Sequence, residues 1–186
     1  LRDKELQDYL NKKEKLSDLS SQKNEETIKE LSEKIIKFGG KPNLENKNQQ
    51  ALIKDLNKQF ELLYVKSILS DKTKNIINDQ TVNNIKVRFQ KVIDLPLKDL
   101  RKLVDTGKKE LGKGIVVVFA SKDGKIGLAV GVTDKLTTKY NAVKFAKTGS
   151  EIIGGKGGGG RSDFAQAGGV EINKIDEALE KLKSLI

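Results

Sequence analysis

The fold is decided by the reading of Gly154-Gly155-Lys156-Gly157-Gly158-Gly159-Gly160-Arg161-Ser162-Asp163-Phe164-Ala165-Gln166-Ala167-Gly168-Gly169. This stretch holds eight of the 17 glycines in the 186-residue chain. Ordering glycine costs more backbone entropy than ordering any other residue, so a run of four must return something that only bare backbone supplies. Consecutive N–H groups without Cβ atoms can form a concavity for a phosphate or carbonyl oxygen, and Lys156 and Arg161 add charge at its rim. Patterns for a nucleotide-hydrolysing P-loop and a dinucleotide loop both fit by glycine content alone. Each requires a strand before the loop and a long helix after it. Here a helix is expected before it, and Ala165-Gln166-Ala167-Gly168-Gly169 is a poor helix start. A flexible linker is a third reading, but a linker does not explain the polar and aromatic residues that come after the glycines.

Upstream, Asn141 is placed to cap a helix through Val143, Phe145, Ala146, Ile152 and Ile153 that delivers the chain into the glycines. Before it, Ile115-Val116-Val117-Val118-Phe119-Ala120 is continuously apolar, as a strand covered on both faces should be. Asp123-Gly124 predicts a tight turn, and Lys125 to Val132 the antiparallel return. Pro96 opens a helix through Leu97, Leu100, Leu103 and Val104 that fades near Gly112. Ile85 to Val92 alternates apolar and basic residues, the mark of a strand with one wet face. Downstream, a short strand at 164–167 and a helix from Ile175 to Leu185 complete the order strand, helix, strand, strand, helix, glycine loop, strand, helix. This is an α+β domain with a small mixed sheet, expected over residues 81–186.

Residues 1–80 read differently. A Gly- and Pro-free helix is expected over 1–38, with Leu6, Leu10, Leu16, Leu19, Ile28, Leu31 and Ile35 as its apolar positions. A heptad through Leu6 and Leu10 would put Lys13, Ser17, Ser20 and Asn24 on the seam, so a regular two-stranded coil fails. A break near 17–24 is expected, with Asn24 or Thr27 capping the helical segment beyond it. Gly39-Gly40-Lys41-Pro42 stops the helix, and a second helix is expected over 45–78 through Leu52, Leu56, Phe60, Leu63, Ile68 and Ile76. The pair would form a helical hairpin whose thin apolar stripe is marginal alone, so a second copy is expected to cover it.

Charge and composition narrow the chemistry. Residues 1–80 carry 16 Lys/Arg against 14 Asp/Glu, and residues 81–186 carry 20 against 12, which places most of the net charge of +10 on the second part. A basic body of this kind attracts polyanions. The chain has no Cys and no His, which removes thiol chemistry, the commonest general base and the commonest transition-metal ligand. Asp163 is the one carboxylate in the glycine stretch, and it fits loop fixing or acceptance from a base amino group better than catalysis. No catalytic residue, metal site or cofactor is therefore expected in this chain, and no apolar run is long enough to cross a bilayer. The absence of Met, with Leu1 first, is expected of a piece of a longer protein.

Gly-Gly-Lys-Gly-Gly-Gly followed by Arg-x-Asp-x-Ala-Gln-Ala-Gly-Gly resembles the signature of the DHHA1-type domain that ends alanyl-tRNA synthetases. The arrangement is also similar: a helical segment, an Ile-Val-Val-Val strand with a hairpin return, then the motif and a terminal helix. The resemblance implies a non-catalytic appendage with a helical dimerisation part and a globular part that binds the outer corner of tRNA, where the D and T loops meet. It further implies help in bringing one tRNA to both aminoacylation and editing sites. Alanine-specific tRNA and a second copy of the chain are the partners it implies. ATP and zinc would belong to upstream domains, and the location would be the cytoplasm, with an organelle as the alternative. By this resemblance the nucleic-acid site is Lys156, Gly157, Gly158, Gly159, Gly160, Arg161, Asp163 and Gln166. The sequence departs from the usual form by one more glycine before Arg161, Ser162 in place of Pro and Phe164 in place of Met, and the first two changes loosen the loop. Two alternatives stand beside it. One is a module whose main task is dimerisation through residues 1–78. The other is the substrate-holding domain of a nucleic-acid phosphodiesterase, where the same domain type also occurs.

Overall fold

A computed structural model describes residues 2–186, so the expected helix start at Leu1 lies outside the described residues; the described chain divides into two compact units between Ser67 and Ile68. In the first, α1 (Arg2–Lys37) runs without interruption for 36 residues, about 54 Å at 1.5 Å per residue. The expected break near 17–24 is absent. Asn24 does not cap a helix; its Nδ2 donates to Gln49 Oε1 at 3.2 Å. Thr27 Oγ1 instead donates to the Lys23 carbonyl at 2.9 Å, and Ser32 Oγ to that of Ile28 at 2.8 Å. These hydroxyls are thereby satisfied inside the helix rather than competing with it. Gly39 ends α1 at φ +77°, with the Gly39 N–H donating to Ile36 and the Gly40 N–H to Ile35, the paired closure of a Schellman motif.

α2 (Gln49–Ser70) begins later than the sequence predicts. Asn43 and Asn46 accept from the N–H groups two residues on, which folds the connection into turns. Asn48 then caps the helix by accepting from the Ala51 N–H at 3.0 Å. Leu31 and Ile35 of α1 pack on Leu52 and Leu56 of α2, with Phe60 and Leu63 beside them. The rings of Phe38, Phe60 and Tyr64 close the end of the hairpin, with centroids 5.7–5.8 Å apart. No helix among the described residues is long and apolar enough to cross a membrane.

The second unit is a six-stranded mixed sheet in the order β1-β2-β3-β4-β6-β5. β1 (Asn75–Val82) occupies residues expected to end a helix or to link it to the next strand, so the units divide ahead of the expected boundary at 80/81. A turn at Asn83 and Asn84, both at positive φ, folds β1 back on β2 (Ile85–Ile93); this is the backbone sign that favours a tight hairpin. A single turn of 3-10 helix and α3 (Leu100–Leu111) cross over to β3 (Gly114–Lys122), which runs parallel to β2. Asp123 and Gly124, at φ +50° and +74°, turn the chain into β4 (Lys125–Val132), antiparallel to β3. α4 (Ala142–Ile152) comes next, capped as expected by Asn141, which accepts from the Val143 N–H at 2.9 Å. β5 (Gly158–Gly160) and β6 (Phe164–Gly169) extend the sheet beyond β4, and α5 (Ile175–Lys183) closes the unit.

β3 is buried along Ile115–Ala120 because both its faces are covered. On one face Phe119, Leu128 and Val130 pack with Tyr140, Phe145, Ala178 and Leu182 from the α4 and α5 layer. Full burial of such side chains contributes about 1.5–3 kcal/mol each. The Tyr140 hydroxyl, buried among them, donates to the Ile186 carbonyl at 3.0 Å. On the other face α3 lies close to the sheet because Gly127 and Gly131 of β4 leave room for Leu100 and Val104. Arg88, only 9% exposed, reaches from β2 to both carboxylate oxygens of Asp79 at 2.7 Å and to Glu110 at the end of α3. These partners raise the Arg88 pKa, Asp79 most, while the Arg88 hydrogen bonds hold the Asp79 carboxyl below its ordinary range.

Candidate nucleic-acid interface

Three residues of the stretch expected as a glycine loop, Gly158–Gly160, form a strand. β5 pairs with β6 in the register Gly158 to Ala167, Gly159 to Gln166 and Gly160 to Ala165. Arg161 and Phe164 close the hairpin by exchanging both backbone hydrogen bonds, at 2.7 and 3.2 Å. Hydrogen-bonded and open pairs alternate along an antiparallel ladder, so Gly159 faces Gln166 in a bonded pair. The N–H groups of Gly158 and Gly160 then point away from β6, at the sheet's edge. The hairpin tip is pinned from three sides: the Val132 N–H donates to the Asp163 carbonyl at 2.9 Å, the Ala142 N–H to that of Ser162 at 2.9 Å, and Lys108 Nζ to that of Asp163 at 3.4 Å. The loosening expected from Ser162 is thus countered by bonds to β4, α4 and α3.

The glycines are not equivalent. Side chains at Gly155 or Gly160 would collide with the β6 backbone, and a Cβ at Gly158 would lie 2.6 Å from both the Gln166 carbonyl oxygen and Ala167 Cβ. Gly157 sits at φ +108°, where a side chain is strained. Gly159 differs. A Cβ there would meet nothing within 4 Å, and its φ lies outside the left-handed region. Close approach to β6 and backbone sign therefore explain most of the run, whereas nothing within the fold requires glycine at 159.

Ser150, fully buried on α4, fastens the start of the ribbon. Its hydroxyl donates to the Gly168 carbonyl at 2.9 Å and accepts from the Gly157 N–H at 3.3 Å, bridging the two strands where they diverge. Residue identity carries no signal for this role, since a lone Ser on a helix more often bonds its own backbone.

Of the expected site residues, Lys156, Gly159, Gly160, Arg161 and Gln166 are exposed, while Gly157, Gly158 and Asp163 are half-buried. The Asp163 carboxylate is engaged by Arg161 Nε at 3.3 Å and by Lys108 Nζ at 3.8 Å, so it orders two cations at the hairpin tip. Register places Phe164 and Gln166 opposite Gly131 and Ala129. Gly131 abuts Val104 and Lys108 of α3, so β6 presents these two side chains on the α3 face of the sheet. Arg101 of α3 lies over the Phe164 ring, 4.8 Å from its centroid. α3 thus adds Arg101 and Lys108 to a surface that the glycine stretch only begins. Both stand more than 50 positions before Arg161, and only the crossover and strand order bring them together. Among the described residues no group of three or more acidic side chains is placed to hold a metal ion.

This surface is open, cationic and edged by bare backbone, an arrangement suited to holding the oxygens of a polyanion. A family model described as the DHHA1 domain matches residues 84–186. Over 108 residues the chain is 51% identical to the alanine–tRNA ligase of Parvibaculum lavamentivorans, a match covering 58% of this chain and 12% of that protein. Over 103 residues it is 47% identical to the alanine–tRNA ligase of Bradyrhizobium diazoefficiens, covering 55% and 12%. It is similar in structure to the C-Ala domain from Aquifex aeolicus alanyl-tRNA synthetase, with a TM-score of 0.55 and 29% identity over 58% of this chain and 96% of that one. The matches to the two ligases each span 12% of their length. The family model covers more than half of this sequence and takes in α3, the sheet from β2 onward and the glycine ribbon; the chain belongs to the DHHA1 domain family.

Proposed function

We propose that this chain is the C-terminal tRNA-binding appendage of an alanine–tRNA ligase, and that it performs no reaction itself. The observation that carries this reading is the β5–β6 ribbon: a side-chain-free sheet edge, held by Ser150 and the hairpin-tip bonds, with Arg161 73% exposed beside it. Outward N–H groups and cations can take phosphate and 2′-hydroxyl oxygens of a folded RNA without reading its sequence. Lys156 and Arg161 are assigned phosphate or sugar oxygens, and Gln166 a base edge or 2′-hydroxyl. Asp163 is assigned the positioning of Arg161. The tRNA elbow is the part of the ligand that the family resemblance implies, and coupling of aminoacylation to editing would result from holding it there. ATP and zinc are assigned to other parts of the longer protein, and the location to the cytoplasm. Identity to ligases favours this reading over a phosphodiesterase substrate domain.

Dimerisation is assigned to the hairpin. Leu6, Tyr9, Leu10, Leu16 and Leu19 of α1 are each 47–63% exposed, and an apolar stripe of this kind is more stable when covered. Sedimentation should show a dimer that Leu10→Lys with Leu16→Lys converts to monomer.

Footprinting with intact alanine tRNA tests the main reading. Protection should concentrate at the elbow, and Arg161→Ala should weaken binding about tenfold, the scale of one lost charged hydrogen bond, while the fold is kept. Protection spread along the acceptor and anticodon arms, or wild-type affinity in the folded variant, would refute it.

A further inference from the structure

Lys108, Arg161 and Asp163 serve the cationic hairpin tip, but Arg101 and Phe164 form a pair with a different chemistry. Phe164 is half-buried on the α3 face of β6, and the Arg101 guanidinium carbon lies over its ring at 4.8 Å. The Arg101 side chain is 59% exposed and its Asp105 neighbour is 3.9 Å away, too far for a close carboxylate clamp. The guanidinium carbon is therefore held over an aromatic ring while the side chain remains open to solvent. A guanidinium is flat and stacks on aromatic faces, and it is more weakly hydrated than an ammonium, so covering it with a second flat group costs less. Further charge is supplied by Arg161 and Lys108, which both meet the Asp163 carboxylate one residue before Phe164. The floor beside Phe164 is Gln166 and the open backbone of Gly159.

We propose that Arg101, backed by Phe164, is a stacking seat for one unpaired or end-exposed nucleobase, with the flanking phosphates taken by Lys108 and Arg161. The site is then bipartite, with α3 carrying the base and the β5–β6 ribbon carrying the backbone. It selects RNA that displays a base face over a continuous A-form duplex, whose bases are stacked inside. This inference rests on the proposed nucleic-acid function and adds to it a ligand feature that charge alone would not select.

The test uses the 186-residue chain with two probes: alanine tRNA carrying 2-aminopurine at an outward-facing D-loop position, and a blunt RNA duplex of similar length. Wild type should quench the 2-aminopurine on binding and prefer the tRNA. Arg101→Lys keeps the charge but removes the plane; it should lower tRNA affinity about tenfold, abolish the quench and leave duplex affinity and the salt slope unchanged. Phe164→Leu, which keeps an apolar group on β6, should also lose the quench. Wild-type quench and affinity in Arg101→Lys would overturn the seat, because a point charge would then suffice. If that result came with weakened binding in Arg161→Ala, the seat alone would fail. If wild type showed no tRNA binding, both readings would fail together.

Discussion

Ser150→Ala removes a single oxygen, and its consequence can be worked through from the clasp that oxygen forms. The hydroxyl donates one bond at 2.9 Å to Gly168 and accepts a longer one at 3.3 Å from Gly157. A neutral hydrogen bond is worth about 1 kcal/mol net, so the loss of the two is expected to cost about 2 kcal/mol. Both partners lie at the start of the ribbon, whereas the centre of the sheet is held by β3 and its apolar neighbours. The loss should therefore appear as local opening of β5, by about thirtyfold at 1.4 kcal/mol per tenfold. Amide exchange measures it: the Gly159 and Gln166 amides should lose protection by that factor, while those of Val117 and Leu128 change little. Affinity for tRNA should fall by less, because only the fraction of ribbon that has left β6 is lost to binding. Unchanged exchange at Gly159 would refute the clasp, and an equal rise at Val117 would show that Ser150 supports the whole unit instead.

Gly159→Ala should keep or slightly raise stability, since its methyl enters open space and the unfolded chain loses freedom, yet tRNA affinity should fall; unchanged affinity would move the RNA away from the ribbon. Gly158→Ala should instead cost about 1–3 kcal/mol in urea unfolding, because its methyl would press on Gln166 and Ala167. Arg88→Met should cost about 1 kcal/mol or less, since Asp79 and Glu110 are 47% and 55% exposed and can rehydrate. Removing both carboxylates as Asp79→Asn with Glu110→Gln should cost about 3 kcal/mol by leaving the buried guanidinium uncompensated; the reverse order of costs would contradict that expectation. Because Arg88 holds the Asp79 pKa low, the pair's contribution is fully present above the ordinary Asp pKa of about 4 and is lost as pH falls through the depressed value. Acid titration of Asp79→Asn should therefore show a weaker loss of stability below that pH than wild type.

Much of the second unit is legible in the sequence because local and global preferences agree there. The apolar run Ile115–Ala120 can only be a covered strand, Asp123-Gly124 has the backbone freedom its turn needs, and Asn141 caps α4 through its own side chain. β1 is hidden because it is a thin edge strand: Ile76 and Ile77 are both about half exposed, and Ile76 also fits the helical spacing of the residues before it. α1 runs through without the expected break, and Thr27 and Ser32 turn their hydroxyls onto carbonyls of the preceding turn instead of capping, a choice that residue identity does not specify. β5 reads as a loop because glycine has no strand preference; its pairing with β6 and the bonds from Ser150 hold it extended. The ribbon's own residues can be named from sequence, but Ser150, Arg101 and Lys108 cannot, since their proximity arises from strand order and the α3 crossover.

A folded RNA resting on the side-chain-free edge and the α3 wall beside it should leave a local imprint on both. Amide and guanidinium chemical-shift mapping of the isotope-labelled chain, titrated with alanine tRNA, tests this most directly. The largest changes are predicted at Gly158, Gly159, Gly160, Gln166 and the Arg101 and Arg161 side chains. Changes spread evenly over the lysine-bearing surface, with the ribbon signals unmoved, would contradict it.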